Sequence, residues 1–89
     1  MSRSTQNQWF VYIATARTGR LYVGVSTDPE ERIAEHNYKK GSRFARLQGP
    51  FKLVYQSSQL SKSAAVLRER QIKGWRRDKK LKLVQGEWS

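Results

Sequence analysis

The chain contains no cysteine, a single histidine, and seven Asp and Glu against eighteen Lys and Arg. Without cysteine there is no disulfide framework and no thiolate metal site, and His36 alone cannot make a multi-histidine zinc site. Any metal is then a hard cation held by carboxylate, water and substrate oxygens. The longest apolar run, WFVYIA, has six residues, whereas a spanning helix needs about 20, so no segment is expected to cross a bilayer. The opening MSRSTQNQ lacks the apolar core of a secretory signal, and a cytoplasmic protein is the expectation.

What is present is positive charge. A net charge of +11 and a pI near 10.6 go far beyond what solubility requires and point to a polyanionic partner, nucleic acid first and an anionic membrane surface second. At 89 residues the chain is one domain with a small core, and a domain of this size buries only about 60% of its unfolded surface. Residues 1–8 are polar and expected to be disordered, with a single domain over 9–85 and no internal repeat or linker dividing it.

From Trp9 the pattern turns β-branched and aromatic, predicting strands over about 9–16 and 20–25. Two hairpin registers compete. A two-residue turn at Thr18-Gly19 pairs Thr15 with Tyr22 and leaves Tyr12 on the other face. A three-residue loop, Arg17-Thr18-Gly19, with Gly19 at positive φ, pairs Ala14 with Tyr22 and Tyr12 with Gly24, putting both tyrosines on one face. The second is favoured because Gly tolerates the positive φ that the bulge needs. The stretch STDPEER then starts a helix over about 29–38: Asp28 is the N-cap, Pro29 the first helical residue, and Glu31 closes a capping box.

On that helix Arg32 and His36 are four apart and share a face. The glycine-bounded stretch GSRFARLQG reads as a basic loop, FKLVY as a third strand, and SKSAAVLRERQIKGWRR as a core helix capped by Ser61, with Ala64, Leu67, Ile72 and Trp75 on one stripe. The tail RRDKKLKLV continues that helix or makes a further turn. The fold class is α+β: a small three-stranded, mainly antiparallel sheet flanked by helices.

Between Glu35 and Asp78 the chain has one carboxylate, Glu69, in line with Ala65 and Ile72. It either pairs with Lys73 at i+4 or faces inward as a single metal ligand. Tyr12 and Tyr22 read equally as sheet residues packing an aromatic face, and Arg32 and His36 as solvated helix residues. Together they supply what phosphoryl transfer requires: a cation for the nonbridging oxygens, a proton acceptor for the attacking water, and a carboxylate for a metal.

The order V-Y-I (Val11 to Ile13), Y-V-G (Tyr22 to Gly24), R-x-x-x-H (Arg32 to His36) and a lone Glu in L-R-E-R-Q-I-K-G-W (Leu67 to Trp75) closely resembles the GIY-YIG nuclease superfamily, in particular its small single-domain bacterial members of the UPF0213-like kind. The resemblance covers about residues 9–83. It implies a metal-dependent DNA endonuclease with Tyr12, Tyr22, Arg32, His36 and Glu69 as catalytic residues, gathered at one sheet edge, and one Mg²⁺ or Mn²⁺ on Glu69. Gly24 is similar to the glycine ending the second motif, where a side chain would crowd the phosphate. The first motif reads Phe10-Val11-Tyr12 in place of Gly-Ile-Tyr, and Val23 stands for isoleucine. No asparagine follows the glutamate; Asn37, directly after the histidine, is assigned a supporting role.

Lys39, Lys40, Arg43 and Arg46, with Phe44 as a stacking platform, are expected to contact substrate, or else form a solvated basic loop. DNA is the expected partner and a monomer the default state. The rival is a basic module that binds nucleic acid and cuts nothing; a protein-interaction domain comes third.

Overall fold

The structure, a computed structural model, describes residues 8–38 and 50–86. Strands β1 (Phe10–Thr15) and β2 (Leu21–Ser26) form a hairpin, followed by helix α1 (Pro29–Tyr38), strand β3 (Lys52–Gln56), and helices α2 (Lys62–Lys73) and α3 (Arg77–Val84). The three strands make one sheet in the order β2-β1-β3, antiparallel throughout. The expected disordered segment, apart from Gln8, and the expected substrate-contact residues Lys39, Lys40, Arg43, Phe44 and Arg46 lie outside the described residues.

The hairpin adopts the three-residue loop. Ala16 N–H donates to the Arg20 carbonyl at 2.8 Å and Gly19 N–H to the Ala16 carbonyl at 2.9 Å, while Gly19 has φ +93°. Tyr12 therefore pairs with Gly24 and Ala14 with Tyr22. Because side chains alternate along a strand, this register separates two faces. Val11 and Ile13 turn to one side and join Ala65, Ile72 and Leu83 in the main core, with Leu21, Val23 and Val25 packed against it. Ala14 turns to the other, clustering with Ala16 and Phe51 beneath Tyr12, Tyr22 and Ile33. Among the described residues the largest fully buried side chains are Ile13, Ile72, Leu83 and Val11, and fully burying one such aliphatic side chain contributes roughly 1.5–3 kcal/mol.

Helices cover both faces. Helix α1 packs across all three strands on the tyrosine side, while α2 packs on β2 and β1 through the main core. Helix α1 begins as expected at its cap, with Glu31 N–H donating to Asp28 Oδ1 at 3.2 Å. The reciprocal bond differs: Asp28 N–H donates to Ser26 Oγ at 3.0 Å, so the last residue of β2 takes the part expected of Glu31.

Two further expectations are corrected. The buried stripe of α2 runs through Ala65 and Ile72, not through Leu67, which is 63% exposed. With Ala65 and Ile72 turned to the sheet, Leu67, two residues after Ala65, falls on nearly the opposite side of the helix. The helix also ends before Trp75, at the Gly74 cap, whose N–H reaches the Arg70 and Gln71 carbonyls. The tail is a separate helix, α3, tied to the hairpin where Arg77 Nη1 donates to the Gly19 carbonyl at 2.9 Å. The pairing of β1 with β3 shifts between Ile13 and Ala14, which face Tyr55 and Leu53, leaving Val54 as an extra residue.

Candidate active site

Because β1 is paired on both sides, Tyr12 sits in the middle of the sheet and not at an edge. Between this face and α1 is a cavity of about 130 Å³. Tyr12, Tyr22, Arg32 and His36 all line it, with Ala14, Ile33 and Phe51 forming the apolar remainder. Each position follows from local structure: the bulged hairpin brings the tyrosines to one face, and the Asp28 cap fixes the helical phase that presents Arg32 and His36 a turn apart.

Phe51 was legible only as the first residue of a strand, yet it organises the cavity. Its ring meets Tyr22 edge-on at 5.4 Å between centroids and His36 at 4.8 Å. Asn37 holds its backbone from both ends: the Asn37 side-chain amide donates to the Phe51 carbonyl at 2.9 Å, and Phe51 N–H donates to Asn37 Oδ1 at 2.7 Å. The residue after the histidine thus fixes the ring on which that histidine rests.

Gly24 makes room for a tyrosine. A Cβ built there would lie 2.6 Å from the Tyr12 hydroxyl oxygen and 2.7 Å from its ring carbon Cζ. Crowding at this position falls first on the Tyr12 ring, which crosses the glycine in the space a side chain would occupy. The Tyr22 hydroxyl oxygen is shielded from solvent, and the Arg20 guanidinium lies 6.0 Å from the Tyr22 ring centroid. Arg32, by contrast, is exposed at the cavity rim.

Glu69 does not line the cavity. It lies on α2, which packs on the opposite face of the sheet, and its side chain is 18% exposed, partly shielded in the line of Ala65 and Ile72. Its Oε2 accepts from Lys73 Nζ at 3.2 Å, so the i,i+4 ion pair is formed. The carboxylate is thus already engaged by an ammonium group. Among the described residues no three His, Asp or Glu side chains come together as a metal cage; a lone carboxylate such as Glu69 would suit only a hard cation completed by water and phosphate oxygens.

A family model described as the GIY-YIG catalytic domain matches residues 8–82. The chain belongs to the GIY-YIG family. A UPF0213 protein of Staphylococcus epidermidis is 41% identical over 76 residues, spanning 85% of this chain and 93% of that protein. One from Staphylococcus aureus is 40% identical over 75 residues, spanning 84% and 92%. The solution NMR structure of a UPF0213 protein from Bacillus halodurans matches with a TM-score of 0.55 at 38% identity, covering 86% of this chain and 82% of that one. The GIY-YIG match includes the hairpin, α1 and the Glu69 helix, so every motif residue named above falls within it.

Proposed function

We propose that this GIY-YIG chain is a metal-dependent endonuclease that hydrolyses phosphodiester bonds in DNA. The observation that carries the reading is the convergence of Tyr12, Tyr22, Arg32 and His36 on one small cavity. A hydroxyl and an imidazole there can accept a proton, and a guanidinium at the rim can meet the nonbridging oxygens of a phosphodiester.

In this reading Tyr22 takes the proton of the attacking water, directly or through His36, whose ring Phe51 holds. Arg32 neutralises charge accumulating on the nonbridging oxygens, and Tyr12, fixed across Gly24, orients water or phosphate by hydrogen bonding. Glu69 would hold one Mg²⁺ or Mn²⁺, which supplies positive charge for the leaving 3′ oxygen when bound. The products are then a 5′-phosphate and a 3′-hydroxyl. The proposed setting is a cytoplasmic monomer.

A second reading is favoured by the ion pair of Glu69 and by its place away from the cavity: a basic module that binds nucleic acid without cutting it. Cleavage of 5′-labelled single-stranded, duplex and forked DNA separates the two. The nuclease reading expects cutting with Mg²⁺ or Mn²⁺, none with EDTA, and its loss in Glu69→Ala and Tyr22→Phe. Salt-sensitive binding with no cutting of any substrate, or of a randomised pool, favours the second reading.

A further inference from the structure

Half of the eighteen Lys and Arg fall within residues 62–82, against two acids there, Glu69 and Asp78. That segment is α2, α3 and their junction, on the opposite side of the sheet from the cavity. Between α2 and the end of β3 runs a groove of about 580 Å³, with no residue in common with the cavity and no carboxylate in its lining. Tyr55, Leu60 and Leu67 give it apolar walls, and Leu67 is 63% exposed.

Arg68 borders the groove and is fixed by two contacts. Its Nη1 donates to Gln71 Oε1 at 3.0 Å, and its guanidinium lies 5.2 Å from the Trp75 ring centroid. Lys79 of α3 approaches the same ring, at 4.4 Å. Two cations thereby approach one indole, and one of them, Arg68, also lines the groove. A duplex offers such a surface only phosphates, whereas a single strand offers phosphates together with unstacked bases.

We infer that the groove between α2 and β3, together with the Arg68–Trp75–Lys79 cluster that joins it at Arg68, is a second binding site, for single-stranded nucleic acid. Bases lie against Leu67 and Tyr55 while the backbone follows Arg68 and Lys79. The inference shares a polyanionic partner with the proposed nuclease but does not depend on cleavage by the cavity.

The test is equilibrium binding of fluorescein-labelled oligothymidine to the full chain in EDTA, followed by anisotropy over a range of salt. Reversing Arg68 and Lys79 to Glu is expected to weaken binding about tenfold or more and to reduce the salt slope by about 1.4, the share of two phosphate contacts on a single strand. Leu67→Ser, which changes no charge, is expected to weaken binding with the slope unchanged. The control Arg17→Glu with Lys52→Glu carries the same charge change away from the groove and is expected to lose much less.

Equal losses in control and groove variants overturn the site, as does wild-type affinity in Leu67→Ser, or absence of binding by the wild type at low salt. Should the charge reversal impair folding, Leu67→Cys provides one thiol in a chain that has none; a fluorophore there must respond to oligothymidine, and a silent label also overturns the site. If the wild type self-associates and Leu67→Ser abolishes this, the groove is instead an interface between copies. Binding lost in the groove variants without any cleavage by the wild type removes the nuclease reading and leaves this one standing. Cleavage with unaltered binding in those variants does the reverse.

Discussion

Asn37 and Phe51, fourteen positions apart, are joined by a reciprocal pair of hydrogen bonds that fastens the last turn of α1 to the start of β3. Asn37→Ala removes both and leaves the Phe51 N–H and carbonyl to find water, which is expected to cost about 1–3 kcal/mol in urea unfolding. Asn37→Asp keeps the acceptor but loses the donor, so its loss should be smaller. Equal stability of all three proteins would show that the pair contributes nothing.

Gly24→Ala should force Tyr12 out of its position, since the new Cβ meets the ring carbon Cζ as well as the hydroxyl oxygen. Overpacking of this kind costs typically about 1–3 kcal/mol. The cost should shrink when Tyr12 is itself reduced to Ala. A double-mutant cycle by denaturant unfolding measures that coupling, and additive effects would refute the contact.

Lys73 and a divalent cation compete for one carboxylate in the proposed enzyme. Lys73→Ala is expected to cost only a few tenths of a kcal/mol in stability, as an i,i+4 pair does, while lowering the Mg²⁺ concentration needed for half-maximal cleavage. Glu69→Gln should abolish the Mg²⁺-dependent cleavage. A Lys73→Ala protein as inactive as Glu69→Gln would mean that the lysine acts with the glutamate and does not displace a metal from it.

Arg77 holds the hairpin loop from α3 through the Gly19 carbonyl. Arg77→Ala should cost about 0.5–1.5 kcal/mol, the worth of one hydrogen bond. Gly19→Ala should also destabilise, because its φ of +93° strains any residue with a Cβ. Thermal unfolding of both variants checks these values.

The hairpin register, the Asp28 cap and the alignment of Glu69 with Ala65 and Ile72 were legible because each depends on neighbours in sequence: a glycine at a bulge, a side chain three residues before an N–H, a helical period. What was not legible depends on distant partners. Nothing local marks Phe51 as the ring beneath Tyr22 and His36, or Ser26 as the acceptor for Asp28, and which face of α2 meets the sheet, Ala65 and Ile72 in place of Leu67, is decided by tertiary packing. The four motif residues of the hairpin and α1 share a cavity, but the placing of Glu69 across the sheet from it follows from tertiary packing alone.

Strand β1 is buried on both sides, with Val11 and Ile13 in the core and Tyr12 and Ala14 under α1. The same six residues therefore encode the interior and the cavity in alternate letters. Gaining or losing one residue within that strand, or within the Arg17–Gly19 loop, would exchange the two sets and drive tyrosine hydroxyls into the aliphatic interior. Length is consequently the least negotiable property of this hairpin: a lineage can replace Phe10 or Val23 by another apolar residue and keep its chemistry, but a single-codon insertion there would cost it fold and cavity together.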